Sequence, residues 1–227
     1  MDVVITGCSR GIGFELVKLF ASDSRNRVLA VTRNIKPFES LALQGKVIPL
    51  SLDIANPSFV DKVVETINLF SFRPLILINN AGYLVNKPFQ SLSSHDFDTM
   101  FAVQVKAPFF LTQALIPFLQ PDAHIVNIGS MGGYQGSAKF SGLSLYSASK
   151  GALAILSECL AEELKNSHIH VNCLALGAAQ TEMLAQAFPG FQAPVSAMEM
   201  AAFIHHFATE TGRFINGKIL PISSSTP

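Results

Sequence analysis

The sequence predicts an α/β fold of the doubly wound kind, a three-layer sandwich whose central, mostly parallel seven-stranded sheet lies between two layers of helices. Three observations predict it. Seven short apolar runs alternate with longer helical patterns, the arrangement that βαβ units require. The fourth run, Leu75-Ile76-Leu77-Ile78, has no polar alternation, as a central strand covered on both faces should not. The first run ends in the glycine-rich turn Thr6-Gly7-Cys8-Ser9-Arg10-Gly11-Ile12-Gly13.

Strands are expected at residues 3–6, 27–31, 47–50, 75–79, 124–128, 168–174 and 218–222, where aliphatic and β-branched side chains cluster between turn-forming residues. Helices are expected at 12–21, 58–69, 96–119, 146–165 and 196–208, where apolar residues recur every three or four positions. No linker or internal repeat divides the 227 residues, so one domain is expected over 1–227, with a short tail at 223–227.

Composition narrows the function. Sixteen Lys and Arg balance 16 Asp and Glu, and only 14% of residues are charged against ~25% in an average domain. Zero net charge removes the bulk attraction that nucleic acids and anionic membranes demand, so neither is an expected partner. The apolar stretches 74–86 and 107–121 are too short, or interrupted by Pro108 and Pro117, for the ~18–20 residues of a membrane span. Met1 is followed at once by Asp2 and a strand, with no signal-peptide pattern, so a soluble cytoplasmic protein is expected. Cys8, Cys159 and Cys173 lack any CxxC spacing and read as free thiols of a reducing compartment. The pairs His168-x-His170 and His205-His206 come without a third ligand, so no metal site is expected.

Glycines between a first strand and its helix let the backbone turn tightly and approach a pyrophosphate, whose charge meets free N–H groups and the positive end of the helix dipole. This is the dinucleotide turn of a Rossmann-type fold; the plain alternative is an ordinary strand-to-helix turn. Gly7-Cys8-Ser9-Arg10-Gly11 also matches the G-x-S-x-G elbow that presents a hydrolase serine. Such an elbow follows several strands, whereas six residues precede Gly7 here, so hydrolysis through Ser9 ranks third among the readings. After the second strand stand Thr32, Arg33 and Asn34, where an acid would bind a ribose 2′-hydroxyl and repel a 2′-phosphate. With no acid there, Arg10 and Arg33 favour NADP(H) over NAD(H), the alternative being two solvated surface arginines.

Tyr146 and Lys150 stand four apart on one helix face. An ammonium beside a phenol stabilises the phenolate and lowers the tyrosine pKa from ~10, making the phenol a usable general acid or base. The strand before this helix ends in Gly129-Ser130, placing a hydroxyl at the carboxyl edge of the sheet, where ligands of open α/β folds bind.

With these residues the chain resembles the short-chain dehydrogenases/reductases over nearly its whole length. The matching elements come in order: T-G-x-x-x-G-x-G at Thr6 to Gly13, Leu52-Asp53-Ile54, Asn79-Asn80-Ala81-Gly82, Ser130, Tyr146 and Lys150. The resemblance implies a cofactor half at about 1–130 and a catalytic and substrate-loop half at about 131–222. It implies NADP(H) contacts from Gly7, Ser9, Arg10, Gly11, Ile12, Gly13, Arg33, Asp53, Ile54, Asn80, Ala81, Gly82, Tyr146, Lys150, Gly177 and Thr181. It also implies that Tyr146 protonates a carbonyl oxygen, that Ser130 polarises it, and that Lys150 binds the nicotinamide ribose and tunes Tyr146. The hydride belongs to the cofactor.

Three departures qualify this. Gln104 stands where the family usually has Asn, and either holds a relay water near Lys150 or is a spectator. The segment from Ser130 to Tyr146 is longer by a few residues, through Gly132 to Lys139, and either lines the substrate mouth or turns into solvent. The usual Pro-Gly after the sixth strand is Leu176-Gly177, and the Gly-Gly near the end is missing. The uncharged segment 183–198, with Phe188 and Phe191, is read as an apolar lid or as plain packing. The expected function is therefore an NADP(H)-dependent carbonyl reductase or alcohol dehydrogenase acting on a small apolar substrate, with a non-catalytic NADP(H)-binding sensor as the alternative. The resemblance implies pairing through the helices at 96–119 and 146–165, hence a homodimer or homotetramer, and the charge-free run 107–121 in the first suits a two-fold interface.

Overall fold

A computed structural model describes residues 1–39, 41 and 45–224. The elements are, in chain order, β1 (Asp2–Thr6), α1 (Gly11–Phe20), β2 (Arg27–Thr32), α2 (Lys36–Glu39), β3 (Lys46–Ser51), α3 (Phe59–Leu69), β4 (Pro74–Asn79), α4 (Ser94–Phe101), α5 (Ala107–Leu115), β5 (His124–Ile128), α6 (Ser144–Glu163), β6 (His170–Leu176), β7 (Ala179–Gln180), α7 (Glu182–Ala187), β8 (Val195–Ser196), α8 (Ala197–His206) and β9 (Ile219–Ile222). Seven strands form one sheet in the order β3-β2-β1-β4-β5-β6-β9, and every pairing is parallel. The chain winds outward from β1 to β3 and then returns to β4 on the other side of β1. That reversal opens a crevice at the carboxyl ends of β1 and β4, where open sheets bind ligands.

Alternation along the strands divides the core. Val3, Ile5, Val28, Ala30, Ile76 and Ile78 pack with α1 and α8 through Leu16, Val17, Phe20, Met200 and Ile204. Val4, Leu29, Val31, Leu77 and Ile125 face the other way, onto Val63, Ile67, Leu111, Leu115 and Ala161 of α3, α5 and α6. Continuous apolar strands are the consequence of burying both faces.

Several expected boundaries shift for identifiable reasons. Asp96 and Ser196 lie at helix starts, where their expected helices were placed, but they belong to capping boxes, Ser93 with Asp96 and Ser196 with Glu199, so α4 begins at Ser94 and α8 at Ala197. The single helix expected at 96–119 is α4 and α5 joined by a π turn, Ala102–Lys106, and ending in a 3₁₀ turn, Ile116–Phe118. Pro108 falls in the first turn of α5, where its missing N–H costs nothing, and so does not interrupt it. The helical run Ser94–Phe118 thereby reaches 25 residues and contains an 18-residue window of mean hydropathy 1.2, long and apolar enough by composition to cross a membrane, which corrects the expectation of short stretches. Here it covers the sheet with Ala107, Leu111 and Leu115. His168 is not in a strand: it follows a 3₁₀ turn at φ +53° and does not share a strand face with His170. The short parallel pair β7 and β8, with α7 between them, had no periodic signal. Of the expected tail, residues 225–227 lie outside the described residues.

His124 is buried in β5. Asn172 donates to its Nε2 at 3.0 Å, so Nδ1–H faces Ala208 O at 3.3 Å. Burial pushes this imidazole down from 6.5 to about 4. Between those values the unfolded chain binds a proton that the native chain does not. Stability is therefore complete above about pH 6.5 and falls toward pH 4, by on the order of 3 kcal/mol from this group. Urea midpoints at pH 7 and pH 5 should show the drop, and His124→Gln should flatten it; equal pH dependence in both proteins would assign the loss elsewhere.

Candidate active site

The crevice is built first from the turn after β1. Gly7 has φ +72°, and a Cβ there would lie 2.5 Å from Ala81 Cα; a Cβ on Gly13 would lie 2.2 Å from Gly7 O. Only glycine lets these two backbones meet. Asn80 Nδ2 donates to Thr6 O and Gly7 O, both at 3.0 Å, and Ala81 N–H donates to Thr6 Oγ1 at 3.1 Å. Asn80 thus braces the turn. Arg10 caps α1 in extended conformation without a side-chain capping bond, leaving the first N–H groups of the helix open to the cavity. Cys8 is buried, its thiol bonded to Ile5 O at 2.9 Å and its pKa pushed well up by burial, so it is unreactive. Ser9 has none of the positive φ that an elbow serine needs, and no His lines the cavity among the described residues; the hydrolase reading has no base.

A cavity of about 670 Å³ runs from this turn in both directions. At one end it is lined by Arg10, Thr32, Arg33, Asp53 and Ile54. Asp53 accepts from Ala55 N–H at 3.0 Å, closing its own turn. Arg10 and Arg33 are exposed, and among the described residues neither guanidinium has a hydrogen-bond or ion-pair partner.

At the other end are Ser130, Tyr146 and Lys150. Ser130 ends the β5 loop as the cap of a 3₁₀ turn, accepting from Gly132 N–H at 3.1 Å. A Cβ on Gly133 would lie 2.6 Å from Gly151 N, so this turn seats directly on α6 beside Lys150. Tyr146 is half-buried, with Ser130 beside it on the cavity wall; desolvation raises its pKa and the neighbouring Ser130 hydroxyl lowers it. Lys150 Nζ lies 5.9 Å from the Tyr146 ring centre and donates to Ile128 O at 2.7 Å. Its pKa is drawn down to about 8, chiefly by burial. The ammonium is thus engaged by a β5 carbonyl while standing near the phenol ring, and the Ser130 hydroxyl also favours the phenolate.

Gln104, on the π turn, is fully buried. Its amide N–H groups face Tyr83 O at 3.1 Å, Ser149 Oγ at 2.9 Å and Met100 Sδ at 2.9 Å, and no hydrogen bond joins it to Lys150 among the described residues. Thr181 caps α7 through Leu184 N–H at 3.2 Å and lies over Gly11, where a Cβ would meet Thr181 Cγ2 at 3.3 Å. Gly177 and Ser223 also line the cavity, so the start of the expected tail belongs to the site.

The mouth beyond Tyr146 is apolar, formed by Leu84, Val103, Met131, Phe140, Met183 and Phe188. Phe140 and Phe188 meet edge to face at 6.2 Å. Asn86, which sequence reasoning missed, ties the mouth together: it donates to Ala187 O at 2.9 Å, and its Oδ1 occupies the space left by the missing Cβ of Gly142. Of the longer 132–139 segment, Gly132 lines the cavity while Gln135, Gly136, Ala138 and Lys139 turn outward, Lys139 closing the loop on Tyr134 O at 2.8 Å.

The chain belongs to the short-chain dehydrogenase family, whose model matches residues 2–190. Among its relatives, cyclopentanol dehydrogenase of Comamonas sp. is 32% identical over 191 residues, 81% of this chain and 75% of that protein. The 3-oxoacyl-[acyl-carrier-protein] reductase FabG of Thermotoga maritima is 31% identical over 187 residues, 79% of this chain and 74% of that protein. A short chain dehydrogenase from Burkholderia cenocepacia, solved in complex with NADP, superposes with a TM-score of 0.88 at 29% identity, over 99% of this chain and 96% of that one.

Proposed function

We propose that this chain is an NADP(H)-dependent oxidoreductase that interconverts a carbonyl and an alcohol on a small apolar substrate. The observation that carries this reading is that Ser130, Tyr146 and Lys150 line one cavity with Arg10 and Arg33 at its far end, whose guanidiniums have no partner among the described residues. The glycine cradle and open α1 N–H groups suit a pyrophosphate, and Arg10 and Arg33 suit a 2′-phosphate. Asp53 and Ile54 would flank the adenine, and Lys150, Gly177 and Thr181 the nicotinamide end. The bound nicotinamide supplies or accepts the hydride. In reduction Tyr146, kept protonated at neutral pH by burial, donates its proton to the carbonyl oxygen while Ser130 holds that oxygen. Lys150 keeps the floor of the site rigid through Ile128 O. Apolar walls exclude water around the transferred charge. A second reading, a non-catalytic NADP(H) sensor, is favoured by one observation, that Gln104 turns its amide inward, away from Lys150.

Fluorescence titration should find NADPH bound more tightly than NADH, and Arg33→Ala should cut that preference roughly tenfold, the size of one exposed charge-assisted contact. Equal affinities in the native protein would remove the NADP assignment. In an NADPH-oxidation screen over aldehydes, ketones, quinones, pterins and 3-oxoacyl thioesters, Tyr146→Phe should lose roughly 10²-fold or more of any turnover while binding NADPH unchanged. Unimpaired turnover would displace Tyr146 as the acid, and no turnover by the native protein on any class would favour the sensor.

We infer further that the chain assembles with copies of itself through the faces of α4, α5 and α6, which expose Phe97, Phe109, Phe110 and Ile155. Free thiols at Cys8, Cys159 and Cys173 suit a reducing cytoplasm. Sedimentation should give a dimer or tetramer at micromolar concentration, and a stable monomer would refute the interface.

A further inference from the structure

Ser149 has no role in the reading above, yet it is fully buried between the two members of the reactive pair. Its hydroxyl donates back to Tyr146 O at 2.8 Å and accepts from the Gln104 amide at 2.9 Å. Gln104 in turn holds Tyr83 O, in the loop after β4, at 3.1 Å. A hydrogen-bonded line therefore runs from that loop through the π turn to the first turns of α6. Toward the sheet, α6 is fastened by Lys150 to Ile128 O at 2.7 Å and by Ser157, which accepts from Asn127 Nδ2 at 2.8 Å. Toward the α4–α5 layer, the Gln104 bond to Ser149 is its polar fastening among the described residues. The π turn is what delivers Gln104 there, since its extra residue swells the helix toward α6. Gln104 Oε1 is left buried without a partner, a cost that the fold carries to keep the amide in place.

We propose that Ser149 is a positioning residue for Tyr146: with Gln104 it sets the rotation of the start of α6, and thereby the meeting of the Tyr146 phenol with Ser130. The consequence for turnover rests on the proposed oxidoreductase reading, whereas the link itself is testable without substrate. Three tyrosines and no tryptophan make the phenols individually readable. In protein labelled with ¹³C at tyrosine Cζ, the Tyr146 line is identified by its loss in Tyr146→Phe, and Ser130→Ala shows where it moves when the neighbouring Ser130 hydroxyl is removed. Ser149→Ala and Gln104→Met cut the same bond from opposite sides, so either folded variant suffices. Each should move the Tyr146 line in the direction seen for Ser130→Ala. Each should lower kcat roughly tenfold on the best substrate of the screen, with the KM for NADPH within twofold. Moving the phenol away from the Ser130 hydroxyl that favours the phenolate should also carry the alkaline limb of the reductive pH profile upward. A Tyr146 line unmoved in Ser149→Ala but moved in Ser130→Ala overturns the inference, as do an unchanged kcat and limb in an active enzyme. If the line moves as expected and the native protein turns nothing over, the link stands and the oxidoreductase reading falls.

Discussion

The structure depends on a close approach of two backbones, the turn after β1 and the loop after β4, at the point where the order of the sheet reverses. Gly7 and Gly13 leave no Cβ between them and Ala81 or each other, and Asn80 spans the remaining gap by donating to Thr6 O and Gly7 O. Because β1 lies between β2 and β4 in parallel register, this contact sets the width of the crevice. A side chain in the gap would separate the strands that form the center of both apolar layers.

A second constraint is the anchoring of α6 by buried polar groups. An ammonium in the interior is costly, and Lys150 meets this cost with a β5 carbonyl and a pKa drawn down to about 8 by burial. Beneath it, Asn79 donates to Asn127 at 2.7 Å and Asn127 to Ser157 at 2.8 Å, a polar row inside an otherwise aliphatic sheet. Apolar packing alone lets a helix rotate a few degrees at little cost, whereas directed hydrogen bonds do not. That difference explains why polar residues occupy a face that hydrophobic packing could have filled.

The low charge fraction that stood out in composition divides into two structural sources. One is the apolar cavity mouth around Phe140 and Phe188. The other is the row of phenylalanines left exposed on α4 and α5, of which Phe109 and Phe110 are 41% and 42% exposed. The longest apolar helical run packs one side on the sheet through Ala107, Leu111 and Leu115.

The sequence by itself determined the seven strands, the five long helical patterns, the glycine turn and the placing of Ser130, Tyr146 and Lys150 at the carboxyl edge. These are written in local periodicity and in residue types whose backbone or charge demands are unusual. Its misplaced boundaries were also local: Asp96, in the first turn of α4, reads as the helix start, and the cap Ser196 as part of α8, because capping residues resemble the helices they begin. Tertiary structure alone decided that Lys150 holds Ile128 O, that Gln104 turns toward Ser149, and that Asn86 joins α7 to the loop before α6. These facts depend on which side chains meet across 22 to 101 residues of chain, and composition and periodicity carry no record of distance between elements.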